Sequence, residues 1–198
     1  MFLDRDGVIN EERSDYVKSW QEFRFLPGAL EALSSLTEVG FRLFVITNQS
    51  AIGRGLVSAA DVREIHRRMI VEIERAGGRI AQTYCCPHTP EQDCECRKPR
   101  PGLLVRAARE CGLELTRCYL IGDKPTDIAA GEAVGCQCVL VPSGLEGRPT
   151  ECGTVSLHRG GAHVCEDIGE AAAWIIQTES ESVSGVGSAE RIARSAPC

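Results

Sequence analysis

The chain opens with Phe2-Leu3-Asp4-Arg5-Asp6-Gly7-Val8, in which two apolar residues lead straight into an acidic stretch. Further along, short apolar runs alternate with segments whose apolar residues recur at helical spacing. The runs predict strands at residues 2–3, 41–46, 80–85, 118–121 and 137–141. The periodic segments predict helices at residues 30–39, 58–76, 103–111, 126–134 and 167–176. This alternation predicts an α/β fold, a doubly wound and mostly parallel sheet with helices on both faces.

The composition is that of an ordinary globular protein, because 43% of the 198 residues are hydrophobic and 25% are charged. These proportions exclude collagen-like, coiled-coil and wholly disordered classes. The formal net charge of −6 disfavours nucleic acids and anionic membranes as partners, since a surface of that sign repels them. No apolar run reaches the roughly 18 residues of a membrane span and no secretory signal is found, so we expect a cytoplasmic protein.

A single domain, residues 1–177, accounts for all of the predicted strands and helices. Residues 143–166 are polar and contain several glycines, so we expect a long loop there. Residues 178–198 contain five serines, two glycines and few large apolar side chains. This composition predicts a disordered tail without a catalytic role.

Polar side chains follow four of the predicted strands, at the edge where parallel sheets bind their ligands. These clusters are residues 4–7, 47–50, 97–98 and 122–124, the last with Asp127 nearby. A single aspartate here would be explained as a solvated loop residue, but four clusters in this order indicate a site. Two carboxylates about 4 Å apart repel by roughly 4 kcal/mol at an effective dielectric near 20. A divalent cation removes that repulsion, and hard oxygen ligands suit Mg²⁺.

A second metal is indicated by the cysteine-rich loop at residues 86–98. Cys86, His88, Cys94 and Cys96 supply three thiolates and one imidazole, which is a common tetrahedral zinc set. The alternative is a group of ordinary thiols near a turn. Because all four ligands come from the protein, the site has no open position, and we expect a structural role for Zn²⁺. The chain has eleven cysteines. In a reducing compartment, metal binding or free thiols explain them better than disulfides do.

These motifs resemble those of a known superfamily. Asp4-Arg-Asp6-Gly, Thr47, Lys98 and Gly-Asp123-x₃-Asp127 are similar to the four motifs of the haloacid dehalogenase phosphotransferases. The resemblance is closest to the D-glycero-D-manno-heptose 1,7-bisphosphate 7-phosphatases, and it is carried by Asp15-Tyr16-Val17, residues 47–50 with Arg54-Gly55, Cys86-Pro87-His88 and residues 94–99. It covers residues 1–142 well and 143–177 loosely. No cap-sized insertion separates the first and second motifs, so we expect a fold without a large cap.

The resemblance implies a role for each catalytic side chain. Asp4 would attack phosphorus and become an aspartyl phosphate, and Asp6 would protonate the leaving oxygen and then activate water. That role requires Asp6 to carry a proton part of the time near neutral pH. Thr47 and Lys98 would stabilise the transferring phosphoryl group. Asp4, Asp123 and the main-chain carbonyl of Asp6 would hold Mg²⁺, with Asp127 supporting Lys98 or the metal through hydrogen bonds.

The same resemblance implies a sugar bisphosphate as the substrate. Arg97 would recognise its second phosphate, because a guanidinium offers a fork of donors, although a plain surface charge explains Arg97 too. Tyr16 fits loop packing as well as it fits substrate contact. The residues that would line the substrate mouth are Asp15, Tyr16, Asn48, Gln49, Ser50 and Lys124.

The implied reaction is removal of the C7 phosphate, which gives heptose 1-phosphate for nucleotide-activated heptose synthesis. Two alternatives stay open at this point. One is histidinol-phosphate phosphatase, which has a similar metal loop and the same Asp-x-Asp start. The other is a non-catalytic zinc-binding interaction module on the same fold, which the intact set of acidic and basic residues disfavours. We expect a monomer, as is usual for this branch.

Overall fold

A computed structural model of the chain describes residues 1–142 and 161–193, with side chains described as far as residue 181. Its strands are β1 (Phe2–Leu3), β2 (Leu43–Asn48), β3 (Ile80–Cys86), β4 (Tyr119–Gly122), β5 (Gln137–Leu140) and β6 (His163–Val164). Its α-helices are α1 (Ala29–Glu38), α2 (Ser50–Gly53), α3 (Ala59–Arg75), α4 (Gly102–Cys111), α5 (Pro125–Glu132) and α6 (Ile168–Ala193).

The strands form a parallel sheet in the order β3-β2-β1-β4-β5-β6. β1 lies at its centre, where Phe2 pairs with Phe44 of β2 on one side and with Leu120 of β4 on the other. Because non-consecutive strands are neighbours, the connecting helices cross over the sheet. The predicted doubly wound α/β fold is confirmed.

Each face of the sheet carries its own hydrophobic core, because side chains alternate along a strand. Leu3, Val45 and Ile121 face α1, α3 and α6 in one core. Phe2, Phe44 and Leu120 face α4 and α5 in the other. Burial of side chains as large as these contributes about 1.5–3 kcal/mol each, so the two cores hold the strand ends, and the loops that follow them, in fixed positions.

Local signals account for the helix boundaries. Ser58 and Asp61 form a capping box at the start of α3, in which each side chain accepts a hydrogen bond from the other residue's backbone N–H. α4 ends at Gly112, which adopts a φ of +63°. Between β1 and α1 the chain forms one turn of 3₁₀ helix, Trp20–Glu22, so that segment contains no cap domain.

Two predictions at the carboxyl end of the chain need correction. The segment 143–166, predicted as a loop, contains β6, which was missed because two residues are too short for a periodic pattern; residues 143–160 lie outside the described part. α6 passes the predicted end at residue 176, so residues 178–193 are helical where we expected disorder. Two polar side chains at the start of this segment bond within the fold, since Glu179 accepts a 2.8 Å hydrogen bond from Tyr119 and Ser180 donates to the carbonyl of Ile176.

Among the described residues, none of the helices combines the length and the hydropathy that a bilayer span requires.

Candidate active site

Polar residues lie where three neighbouring strands of the sheet end. Asp4 follows β1 directly, and its backbone N–H donates to the carbonyl of Ile121 on β4 at 2.9 Å. Thr47 lies near the end of β2, and Asp123 follows β4. These strands are neighbours in a parallel sheet, so their carboxyl ends open onto the same edge. A cleft of about 580 Å³ lies at this edge, with Asp4 among its lining residues.

Lys98 reaches the same point from the loop after β3. Its side chain is only 2% exposed, and its Nζ lies 2.9 Å from Asp4 Oδ1 and 2.6 Å from Asp127 Oδ1. Nζ also donates to the carbonyl of Ile46 at 2.8 Å. Burial alone would lower the pKa of Lys98, but the charges of Asp127 and Asp4 outweigh it and raise that pKa. Lys98 is therefore a fixed positive charge beside Asp4.

The carboxyl groups of Asp4 and Asp123 are buried where negative charge is costly. Burial raises the pKa of Asp4 to about 6, against the opposing charge of Lys98. Burial and the nearby charge of Asp4 raise the pKa of Asp123 to about 8. Neither buried oxygen of Asp123 has a hydrogen-bond partner. Their charged partner is the Lys124 ammonium, 3.9 Å from Oδ2. Buried carboxylate oxygens without hydrogen bonds fit a divalent cation, since hard oxygen atoms are the ligands that Mg²⁺ prefers.

The acidic group also includes Asp127. Asp4, Asp123 and Asp127 each offer a carboxylate oxygen, and these oxygens all lie within 4.8 Å of one another. Asp127 caps α5, where its Oδ2 accepts from the backbone N–H of Lys124 at 3.1 Å, and its Oδ1 holds Lys98. The position of Asp127 thus agrees with the supporting contact to Lys98 that the resemblance implied.

The carboxylate of Asp6 points away from this acidic group and into a network of donors. Arg5 donates to both of its oxygens at 2.8 Å, Asn10 Nδ2 donates to Oδ1 at 2.8 Å, and Gln49 Nε2 donates to Oδ2 at 2.7 Å. Burial opposes ionisation of Asp6, but the Arg5 charge and these hydrogen bonds lower its pKa below the ordinary value. In the chain alone, this direction is opposite to the protonated Asp6 that we expected near neutral pH.

The side chains predicted to line the mouth of the cleft differ in the hydrogen bonds that they make within the protein. Asn48 is held by Lys98 at both ends, since its Nδ2 donates to the Lys98 carbonyl and its Oδ1 accepts from the Lys98 N–H, both at 3.2 Å. Gln49 is engaged as well: Oε1 accepts from Arg5 at 3.1 Å, and Nε2 donates to Asp6 and to Thr47 Oγ1. Both residues line the cleft together with Ser50, but their amides hold the site together.

The rim of the cleft carries three cationic side chains, those of Arg13, Arg97 and Lys124. Arg97 Nη1 donates to the carbonyl of His88 at 3.2 Å, and Lys124 pairs with Glu12. Such a rim suits an anionic ligand.

Tyr16 and Asp15, both predicted to line the mouth, differ in position. Tyr16 lines the cleft with a φ of +65°, a conformation that bulky residues rarely adopt. Asp15 is not among the lining residues, because its exposed carboxylate pairs with Arg13 at 2.9 Å and Lys18 at 2.7 Å. The structure thus brings Tyr16, but not Asp15, into the cleft.

The four predicted zinc ligands also come together. Cys86 Sγ lies 3.5 Å from Cys94 Sγ and 3.2 Å from Cys96 Sγ, and His88 Nδ1 lies 3.6 Å and 3.3 Å from the sulfurs of Cys86 and Cys96. A tetrahedral Zn²⁺ with bonds of about 2.3 Å to sulfur sets its ligands about 3.8 Å apart, close to these distances. Burial disfavours the thiolate of Cys94, but hydrogen bonds from Cys96 and Cys86 lower its pKa to about 7. The group therefore fits one soft divalent ion.

Sequence reasoning missed the residues beneath Asp6. Arg5 and Asn10 are fully buried and bind the Asp6 carboxylate, and Glu12 pairs with Lys124 at the rim. His66 lies below Arg5 on α3. The sequence held one signal for it, since position 66 falls on the buried stripe of α3 with Val62, Ile65, Met69 and Ile73, where a histidine needs a polar partner.

Gly7 provides a test of the acidic site. Its φ is +84°, and a Cβ there would lie within 2.5 Å of Asp123 Cγ and closer still to Oδ2. We expect Gly7→Ala to displace Asp123 and to raise the Mg²⁺ concentration for half-maximal activity by about tenfold or more. Strain at this φ should also lower the free energy of unfolding by about 1–3 kcal/mol. A Mg²⁺ titration of activity and a denaturant melt measure the two effects.

The matched control is Gly28→Ala, at a position with a φ of +76° and nothing within 4 Å of the added Cβ. It should lose stability by a similar mechanism while keeping the wild-type Mg²⁺ requirement. An unchanged Mg²⁺ requirement in Gly7→Ala would contradict a metal site at Asp123.

Comparisons with known proteins show what this chain is similar to. A family model described as HAD-hydrolase-like matches residues 95–171. The D-glycero-beta-D-manno-heptose-1,7-bisphosphate 7-phosphatase of Pseudomonas aeruginosa is 38% identical over 159 residues, which cover 78% of this chain and 89% of that protein. The protein of the same name from Bordetella bronchiseptica is 36% identical over 181 residues, covering 89% and 97%. A crystal structure of D,D-heptose 1,7-bisphosphate phosphatase from B. bronchiseptica, complexed with magnesium and phosphate, is similar with a TM-score of 0.82 and 34% identity, covering 90% of this chain and 98% of that one.

Proposed function

The chain belongs to the family of D-glycero-beta-D-manno-heptose-1,7-bisphosphate 7-phosphatases, and on this premise we propose that it hydrolyses the C7 phosphate of such a heptose bisphosphate. The product is the heptose 1-phosphate that nucleotide-activated heptose synthesis requires. The observation that carries the proposal is the buried Asp4 carboxylate at the floor of the cleft, 2.9 Å from the Lys98 ammonium and beside the Asp123 carboxylate, whose oxygens accept no hydrogen bond.

Asp4 is the proposed nucleophile. One of its oxygens forms a bond to phosphorus as the bond from phosphorus to the sugar oxygen breaks, and water then hydrolyses the aspartyl phosphate. Asp6 donates a proton to the departing oxygen and takes one from the attacking water. Arg5 opposes protonation of Asp6 in the chain alone. An incoming phosphate dianion shifts that balance, because a like charge nearby raises the pKa of a carboxyl group.

Positive charge and a hydroxyl group stabilise the transferring phosphoryl group in this proposal. Lys98 presents its ammonium beside Asp4, and Thr47 offers a hydroxyl oriented by Gln49 at 2.9 Å. Asp4 and Asp123 would hold Mg²⁺, together with the main-chain carbonyl of Asp6. When bound, that ion keeps Asp4 ionised and neutralises charge on the phosphate.

Recognition of the second phosphate is assigned to the rim of the cleft. Arg97 and Lys124 line it, and a guanidinium can bind a phosphate with two parallel hydrogen bonds. Both side chains are tethered at one point, Arg97 to the His88 carbonyl and Lys124 to Glu12, so their charges are placed before a ligand arrives.

We infer that the group of Cys86, His88, Cys94 and Cys96 binds Zn²⁺ with a structural role. It lies at the start of the segment that delivers Arg97 and Lys98, so a bound ion fixes the course of that segment. The thiols of Cys86, Cys94 and Cys96 form no disulfide, which suits a reducing compartment such as the cytoplasm. We further propose that one domain, residues 1–177, acts as a monomer, as is usual for the branch that the motifs resemble.

Comparison of substrates tests the proposal. With Mg²⁺ present, kcat/KM for D-glycero-D-manno-heptose 1,7-bisphosphate should exceed kcat/KM for histidinol phosphate by at least about 100-fold, as expected when a second phosphate adds about 3 kcal/mol of recognition. ³¹P NMR of the product should show the C1 phosphate intact. Faster turnover of histidinol phosphate would indicate a histidinol-phosphate phosphatase. Absence of phosphate release from both substrates would favour a non-catalytic zinc-binding module.

A further inference from the structure

We propose that His66 is a positioning residue for this reaction: it accepts a hydrogen bond from Arg5, and Arg5 in turn orients the carboxylate of Asp6. The inference rests on the proposed function, since it gives His66 a part in the step that Asp6 performs. His66 itself lies outside the cleft lining and touches none of the reacting groups.

Arg5 is the link between the two residues. Its side chain is 1% exposed, and its guanidinium is surrounded by protein acceptors. Nη2 donates to both oxygens of Asp6 at 2.8 Å and to Gln49 Oε1 at 3.1 Å, while Nη1 lies 3.1 Å from His66 Nε2. Nε also donates to Asp6 Oδ1 at 3.3 Å, so Asp6 and Gln49 hold one side of the guanidinium and His66 holds the Nη1 side. The orientation of the guanidinium plane depends on both sides.

The contact with Arg5 determines the protonation state of His66. A guanidinium only donates hydrogen bonds, so His66 Nε2 must be an acceptor, and the ring is neutral with its proton on Nδ1. Burial, together with the Arg5 charge, lowers the pKa of His66 to about 3, so the ring stays neutral over the working range of pH. His66 thus provides a constant acceptor for Arg5 and does not titrate.

The position of His66 is rigid. It lies on α3, whose amino end is closed by the capping box of Ser58 and Asp61 and whose buried stripe packs into the sheet. Loss of this acceptor leaves a buried N–H of Arg5 without a partner, which costs about 1–3 kcal/mol unless the guanidinium turns toward another acceptor. Either response disturbs Asp6, and misplacement of a catalytic group by about 1 Å can cost about 100-fold in rate.

Leaving-group dependence tests the inference. A sugar alkoxide needs a proton from Asp6 to depart, whereas p-nitrophenolate does not. In His66→Leu we expect kcat/KM for the heptose bisphosphate to fall about 10- to 100-fold and that for p-nitrophenyl phosphate to fall less than about threefold. His66→Gln, whose amide oxygen can accept from Arg5, should return the sugar phosphate to within about threefold of wild type.

A buried residue on the same helix provides the control. Met69→Ala should lower the melting temperature through a cavity while it leaves the ratio of the two kcat/KM values unchanged. If His66→Leu does not fold, His66→Ala replaces it in the comparison. Equal losses on both substrates, no loss on either, or failure of His66→Gln to restore the ratio would overturn the inference. If wild-type enzyme does not act on the heptose bisphosphate, the proposed function fails, and any alkyl phosphate that it does hydrolyse still decides the role of His66.

Discussion

Replacement of Asp4 by Asn should abolish phosphate release, with a loss of kcat of at least about 1,000-fold. The amide nitrogen and oxygen of Asn have almost the same shape as the carboxylate but cannot form the acyl phosphate. Steady-state phosphate release measures the effect. Brief incubation with ³²P-labelled substrate and an acid quench should label the wild-type protein and leave Asp4→Asn unlabelled. The exposed Glu74→Gln on α3 is the control and should keep full activity.

The loss should not come from unfolding. The pKa of Asp4 is raised in the folded protein from 3.8 to about 6, so the fold favours the protonated form, and stability falls as pH rises through this interval. Asn removes that dependence. Lys98 keeps its 2.6 Å contact with Asp127, so the ammonium is not left unpaired. Without added metal at neutral pH, Asp4→Asn should melt no lower than wild type. A variant that still releases phosphate would eliminate Asp4 as the nucleophile.

The fold was accessible from the sequence because its signals are local and repeated. α3 shows this well, since apolar residues at helical spacing predicted a helix at residues 58–76 and thus both its buried face and its length. β1 is only two residues long, yet it was found because an apolar pair precedes an acidic stretch. β6 has the same length without such a neighbour, and it was missed. A strand this short is thus found only where the residues next to it carry a signal of their own.

The sequence predicted the active site as far as the types of its residues indicate their chemistry. The four strand-end clusters predicted that Asp4, Lys98 and Asp123 would meet, and the structure brings them together. The sequence could not show where each carboxylate points. Asp6 is two residues from Asp4, but its side chain faces Arg5, Asn10 and Gln49, which come from two separate segments of the chain. Its pKa depends on those partners, and only the folded chain identifies them.

Removal of zinc should cost about 100-fold in activity even with saturating Mg²⁺. Five of the six pairs of ligand atoms lie 3.2–3.6 Å apart, so without an ion three sulfurs and an imidazole crowd together with weak hydrogen bonds only. The turn from His88 to Cys96 should then open. Arg97 depends on it directly, because its guanidinium donates to the His88 carbonyl. A zinc-selective chelator, with metal content measured by mass spectrometry and activity assayed before and after zinc is returned, tests this.

Lys98 makes more contacts within the protein than Arg97 does, so we expect loss of zinc to affect Arg97 before Lys98. Asn48 binds the backbone of Lys98 at both ends, and Asp127 and Ile46 bind its Nζ. Partial loss of zinc should therefore raise KM first, through Arg97, and lower kcat only as Lys98 shifts. Cys96→Ser should show both effects, whereas Cys111→Ser, outside the ligand set, should retain zinc and wild-type kinetics. Full activity after complete zinc removal would mean that the hydrogen bonds of Asn48 and Asp127 position the segment without any metal.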